Sequence, residues 1–412
     1  MKIHKILKKL GPGLITGASD DDPSGIITYS QAGAQFGLTT LWTAIITFPL
    51  MLSIQEMCAR IGVITSSGLA TNIRNHYPKS ILFITILAIA PALILNISAN
   101  LAGMAAVAHL MIPKVSFNLF AILLTIILTI VIVFLSYNKL VSILKYLCLS
   151  LLLYLIIPFL INQNWLSVAK HTIIPTIQLN KNYLGVLVAI LGTTISPYLF
   201  FWQATMEAEE SQHQKSSVMV NKRTIKEMQQ ETSFGMLSSN LVMYFIILST
   251  GSVLFSAGIN EIDTAGQAAK ALEPLAGELA YLLFALGILG TGFLSMPVLV
   301  GSLSYTLATV FNWRSGLDQK FYAAKPFYII IFIALLISLA INFIGFSPMK
   351  ALFYTAILYG LIAPLLIGLI LHIANNKKIM GKFANGKWSN IWGGITLTLM
   401  AVSALLLIYF QF

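Results

Sequence analysis

Charge is what this 412-residue chain has least of: Asp, Glu, Lys and Arg together make up 9% of it, where soluble domains carry about 25%. So few charges cannot cover a water-facing surface, which excludes an ordinary soluble globular protein. Cysteine is nearly missing too. The two present, Cys58 and Cys148, sit in apolar runs without a CxxC or Cys/His spacing, so neither a disulfide framework nor a zinc cluster is expected. Six histidines, His4, His76, His109, His171, His213 and His372, never stand four apart, and no HExxH occurs. They are read as loop or interfacial residues, and an intramembrane metalloprotease, or any enzyme, is disfavoured. Acidic residues are outnumbered, 14 against 25 Lys and Arg, but the positive residues are scattered and form no basic domain, so nucleic acid is not an expected partner. Met1 to Lys9 is basic and amphipathic with no small-residue cleavage pattern after it, and no removable signal peptide is expected.

What is there in quantity is hydrophobic, 57% of the chain. Apolar runs of spanning length lie near 11–35, 38–61, 80–110, 117–137, 140–161, 184–205, 233–256, 279–310, 326–346, 350–373 and 391–411. They are unbroken stretches and not ten-residue alternations, so they predict helices and not a barrel. The expected fold is an all-α integral membrane protein of eleven transmembrane helices, multi-pass in the cell membrane, with the lipid bilayer as its surroundings and no obligate protein partner evident. With the N-terminus cytoplasmic, twenty of the 25 positive residues fall inside, and only Lys114, Lys170, Lys181, Lys270 and Lys350 fall outside. That bias is what the positive-inside rule asks, and it puts the C-terminus outside. The largest polar stretch, Glu207 to Thr232, is too short for a soluble domain and reads as a cytoplasmic loop. Its acids Glu207, Glu209 and Glu210 are read as a solvated loop start, with attraction of cations near an exit as the alternative.

Two spans are interrupted. The first carries Gly17-Ala18-Ser19-Asp20-Asp21-Asp22-Pro23-Ser24-Gly25 between apolar flanks, and the sixth carries Gly192-Thr193-Thr194-Ile195-Ser196-Pro197. Proline removes a backbone donor, glycine lowers helix propensity, and carboxylates at membrane depth are costly unless they face a polar cavity. A proline beside glycine or serine also makes an ordinary kink, but the acidic triplet of the first span asks for more than that. Five spans separate the two interruptions, and an odd offset makes corresponding helices antiparallel. The chain is therefore expected to be an inverted repeat of five plus five spans, about 11–161 and 184–373, with 391–411 added, in one transporter domain 1–412. Paired interruptions point to a transport site at the bilayer midplane. The first half of each broken helix ends there with free carbonyls and the negative end of its dipole, and Asp22 adds charge, so the site suits a cation.

At these residues the chain resembles the Nramp family of divalent-metal transporters. Gly11-Pro12-Gly13, Asp22-Pro23-Ser24-Gly25 and Gln31-Ala32-Gly33-Ala34 are similar to that family's first helix, with its Asp-Pro-Gly-Asn and Gln-Ala-Gly. Gly192 to Tyr198 resembles its sixth, with Met-Pro-His. The resemblance implies the inverted-repeat, LeuT-like fold shared with sodium-coupled amino acid transporters. Residue by residue, it implies that Asp22 is the metal-binding aspartate, that Gly25 stands for the family's asparagine, Ser196 for its methionine and Tyr198 for its histidine, and that the Thr193 carbonyl can reach the metal. In the third helix Asn100 and Gly103 would replace an aspartate and a glutamate of proton-coupled members.

These departures have a chemical sense. Losing the soft thioether and keeping hydroxyl and carbonyl oxygens suits Mg²⁺ or Mn²⁺, and room at Gly25 suits a partly hydrated ion. In this the chain is similar to the family's magnesium-transporting, non-proton-coupled relatives. The expected metal ligands are Asp22, Ser196 and oxygens at Thr193 and Ser19, the expected lining is Ser24, Gly25, Tyr198, Asn100 and Tyr354, and Pro23 and Pro197 make the breaks. Thr355 and Tyr359 are further candidates, and Glu56 is read as the structural i,i+4 partner of Arg60. A proton or charge role for Asp20 or Asp21 is kept open. The expected function is a secondary transporter moving a divalent cation by alternating access without proton coupling, driven by potential worth about 4.6 kcal/mol for a divalent ion at 100 mV. No cofactor is expected besides the transported ion. The alternatives are a cation-coupled importer of a small amino or carboxylic acid and a non-transporting metal sensor.

Overall fold

An apolar segment with no water around it can satisfy its amides only within its own helix, and helix is the regular structure throughout the described residues. The computed structural model of the protein describes residues 11–135, 154–213 and 221–410. Its long helices are α1 (Pro12–Asp20), α2 (Pro23–Phe36), α3 (Trp42–Thr65), α4 (Lys79–Met111), α5 (Phe117–Phe134), α6 (Lys181–Thr194), α7 (Pro197–His213), α8 (Lys222–Val253), α9 (Ala280–Phe311), α10 (Lys325–Asn342), α11 (Pro348–Asn375) and α12 (Lys387–Tyr409). Among the described residues nine segments are long and apolar enough to cross a bilayer, counting α6 with most of α7 as one. They coincide with nine of the eleven expected spans. The first expected span is the pair α1 and α2, each too short to be counted alone. Most of the fifth, near 140–161, lies outside the described residues, as do the basic N-terminal residues, Cys148 and Lys215.

Proline alone does not break a helix here. Pro49, Pro91, Pro297 and Pro364 all lie inside continuous helices. Within the first and sixth spans the helix stops where a proline follows polar residues able to take over freed backbone groups, at Asp21-Asp22 and at Ile195-Ser196. Each incoming half-helix is then pinned by small residues. α1 packs on α8, and a Cβ on Gly17 would overlap the carbonyl of Gly235, whose own Cβ would overlap that of Gly13. α6 packs on α11 through Gly192 and Gly360 in the same interlocked manner. Lipid gives no hydrophobic drive between helices, so such close backbone approach supplies the association.

The stretch from Glu207 to Thr232 is not the loop its polarity predicts. α7 runs on to His213 and α8 begins at Lys222, where the Asn221 side chain accepts from the amides of Arg223 and Thr224. Glu, Gln, Lys and Arg are good helix formers, and with an N-cap they extend a spanning helix past the bilayer. Glu207 is buried and accepts from Gln203 at 2.9 Å, Glu209 is half-buried and only Glu210 is exposed. The Glu56 and Arg60 side chains form the i,i+4 pair with two contacts of 3.0 Å, and Arg60 also donates to Phe383 O and Asn385 Oδ1.

Candidate functional site

The break in the first span is built from its acids outward. Asp22 has extended backbone and caps α2, its Oδ1 accepting from Gly25 N at 2.8 Å, with Pro23 at the first helical position where no amide is needed. Its other oxygen faces α4: Asn100 Nδ2 lies 3.2 Å and Asn96 Nδ2 3.5 Å away. Asp20 and Asp21 turn the other way. The Ser239 hydroxyl on α8 lies 2.6 Å from Asp20 Oδ2 and 3.1 Å from Asp21 Oδ1. All three carboxylates are enclosed, at 0%, 4% and 2% exposure in sequence order. Three neighbouring acids are thus divided between two walls. Accordingly, the described residues hold no group of three His, Cys, Asp or Glu side chains able to grip one metal ion.

At the sixth span the order is reversed. The Ser196 hydroxyl turns back onto α6, donating to Thr193 O with Gly192 O at 3.3 Å, so a side chain covers the carbonyls that the end of α6 leaves free. The two breaks meet. Tyr198 Oη donates to Ser19 O at 2.8 Å, Tyr29 Oη is 3.3 Å from Thr194 Oγ1, and a Cβ on Gly25 would stand 3.2 Å from Asp20 O and 3.4 Å from Thr193 Oγ1. The Tyr198 ring lies 5.9 Å from that of Tyr359 on α11.

Of the residues read from sequence, the structure brings Asp20, Asp21, Asp22, Ser19, Gly25, Thr193, Ser196, Tyr198 and Asn100 together around the breaks at Pro23 and Pro197. Ser24 is beside them, but its hydroxyl is committed to Leu352 O of α11 at 2.8 Å. Tyr354 is a correction: it is 62% exposed and points away, while the next residue, Thr355, is buried and donates to Asn96 Oδ1 at 3.1 Å. One residue is 100° of helix, and the outer position went to the aromatic. Three participants were missed, Tyr29, Asn96 and Ser239. Asn96 was recognisable as an amide one turn before Asn100 in an otherwise apolar helix, and Ser239 sits in the polar run Ser238-Ser239-Asn240 in mid-helix.

At the end of α2 remote from α1 a cleft of about 270 Å³ is lined by Gln31, Gln35, Lys181, Glu261, Asp263 and Lys350. Gln31 holds the segment after α8 through both ends of its amide, accepting from Ile262 N at 2.9 Å and donating to Asn260 O at 3.1 Å. Lys350 pairs with Asp263 at 3.1 Å.

A family model described as natural resistance-associated macrophage protein-like matches residues 13–410. The divalent metal cation transporter MntH of Caldanaerobacter subterraneus subsp. tengcongensis is 24% identical over 415 residues, covering 99% of this chain and 94% of that one. MntH of Staphylococcus haemolyticus is 26% identical over 424 residues, covering 96% and 90%. Among solved structures, the Eremococcus coleocola manganese transporter in complex with an aromatic bis-isothiourea substituted compound matches with a TM-score of 0.75 at 20% identity, over 98% of this chain and 87% of that chain. Mhp1, a nucleobase-cation-symport-1 family transporter in a closed conformation, matches with a TM-score of 0.59 at 12% identity, over 97% and 90%. At such identities the likeness shows the fold.

Proposed function

The chain belongs to the Nramp family, and on that premise we propose that it is a divalent metal cation transporter, not an enzyme, whose cargo is Mg²⁺ or Mn²⁺ held at Asp22. The observation that carries this reading is the enclosed Asp22 carboxylate at the junction of two broken spans, where the carbonyls of Ser19 and Asp20 at the end of α1 and the Thr193 hydroxyl at the end of α6 also gather. Relatives named as divalent metal cation transporters and a structural neighbour named as a manganese transporter support the cargo class. The preference for a hard ion rests on the oxygens at Ser196, Thr193 and Ser19, since hydroxyl and carbonyl ligands suit Mg²⁺ and Mn²⁺.

The transport cycle is alternating access in a multi-pass protein of the cell membrane, with the N-terminus cytoplasmic and the C-terminus outside. The chain is built as two antiparallel halves, about 11–161 and 184–373, and the first and sixth spans rock against the third, fourth, eighth and ninth to open the site by turns. In support, the first span packs on the seventh, α8, and the sixth packs on the second, α3, the exchange that a five-span offset demands. Transport runs without a coupled proton, because Tyr198 and Asn100 stand where a titrating histidine and carboxylate would carry one.

Uptake by proteoliposomes with an internal pH dye tests the reading. Mg²⁺ and Mn²⁺ should enter under a negative-inside potential with no accompanying acidification. Absence of any divalent flux would end it, and metal-dependent acidification would end the uncoupled mode.

A further inference from the structure

The wall opposite the breaks carries an unusual pair. Asn96 and Asn100 lie one turn apart on α4, both buried, and both aim nitrogen at Asp22. Asn100 Nδ2 also meets Asn96 O at 2.9 Å and Asn96 Oδ1 at 3.1 Å, three acceptors for two hydrogens, while Asn100 Oδ1 is buried with no hydrogen-bond partner among the described residues. An amide crowded on one end and unmet on the other, at membrane depth, is costly to maintain. Its two ends have nearly the same shape, so a half-turn exchanges donor for acceptor without repacking.

The surroundings accept that half-turn. The Thr355 hydroxyl has one hydrogen and two acceptors in reach, Asn96 Oδ1 at 3.1 Å and Leu352 O at 2.8 Å. When Asn96 turns, Thr355 keeps its bond to Leu352 O and accepts from Asn96 Nδ2 instead. A turned Asn100 would set its oxygen against those of Asp22 and Asn96, an arrangement favourable only with a positive charge among them. With a cation in front of Asp22 the present orientation is the wrong one, since it offers N–H groups to a positive ion.

We propose that Asn96 and Asn100 are specificity-determining residues for the cargo: a reversible amide pair facing the Asp22 carboxylate that by a half-turn presents carbonyl oxygens to a divalent cation, or to a water it retains. The inference deepens the reading of Asp22 as cargo ligand and rests on it. Neutral amide oxygens are hard ligands that add no charge, and they accept from the water that Mg²⁺ gives up reluctantly. Helix α4 thereby senses the cargo, and it passes that contact to α9 and α11, against which it packs.

Calorimetry of Mg²⁺ and Mn²⁺ binding to the full-length protein tests it, on wild type, Asn100→Leu, Asn96→Leu and Asn100→Asp, with the unfolding midpoint of each read with and without Mg²⁺. Asn100→Leu keeps the shape and loses the oxygen, so Mg²⁺ affinity should fall roughly tenfold or more, and the rise in midpoint on adding Mg²⁺ should shrink. Asn100→Asp keeps an oxygen in either orientation and should bind at least as tightly as wild type. Unchanged Mg²⁺ affinity in folded Asn100→Leu overturns the proposal, and so does loss of binding in Asn100→Asp. If Asn100→Leu fails to fold, Asn96→Leu and Asn100→Asp decide by the same criteria. Failure of the underlying reading has a different signature: wild type binds no divalent ion, or Asp22→Ala binds like wild type.

Discussion

The first and sixth spans are broken by the same device in opposite directions. In the first, a carboxylate caps the outgoing half-helix: Asp22 accepts from Gly25 N, leaving its second oxygen free for α4. In the sixth, a hydroxyl covers the incoming half-helix: Ser196 donates to Thr193 O. Both answer the same need, a backbone group orphaned at membrane depth. They differ in what remains. A carboxylate that accepts one amide keeps a charge and spare lone pairs, whereas a hydroxyl that donates its only hydrogen offers lone pairs and no charge. On the proposed reading, the first break would supply the attraction for a cation, and the sixth shape and hard oxygens.

The largest effect should come from removing that charge. Asp22→Asn keeps an acceptor for the cap, so the unfolding midpoint should stay close to that of wild type while divalent affinity measured by calorimetry falls about a hundredfold, near 3 kcal/mol. Asp22→Ala should lose binding and flux as well as the cap. Comparable Mg²⁺ binding in either variant would transfer the charge role to the acids at Ser239. Changing the sixth break should alter selectivity before affinity: Ser196→Met brings in a soft donor, and the ratio of Mn²⁺ to Mg²⁺ affinity should rise roughly tenfold, about 1.4 kcal/mol. An unchanged ratio would confine Ser196 to capping. Gly25→Asn places a Cβ 3.2 Å from Asp20 O and 3.4 Å from Thr193 Oγ1, where the neighbours must give. Filling the space between the two breaks should weaken Mg²⁺ several-fold more than Mn²⁺ in the same titration, since room for retained water is lost. Smallest of all, Ser196→Ala leaves carbonyls of α6 without their donor, and the protein should lose about 0.5–1.5 kcal/mol, read as a lowered unfolding midpoint.

Much of this was legible in residue order. The spans follow from apolar run length, and both breaks follow from glycine, hydroxyls and acids ahead of proline, although Pro49, Pro91, Pro297 and Pro364 stay inside continuous helices. The polar stretch after the sixth span was misjudged because polarity in a membrane chain reports depth and not backbone conformation: Glu207 to His213 is the end of a helix, with Glu207 buried against Gln203. Tyr354 and Thr355 show the limit of position along a helix. They are adjacent in the chain, yet one faces outward and the other meets Asn96.

By itself the sequence determined the solvent, since 9% charge cannot face water, and the two places where helix must fail, since those depend on the bonding capacity of neighbouring residues. Tertiary structure alone decided where each acid points, Asp20 and Asp21 to Ser239 on α8 and Asp22 to the amides of α4. The rotation of a helix about its own axis is set by what it packs against, here by glycines that admit backbone against backbone. Those contacts join residues far apart along the chain, and no local pattern records them.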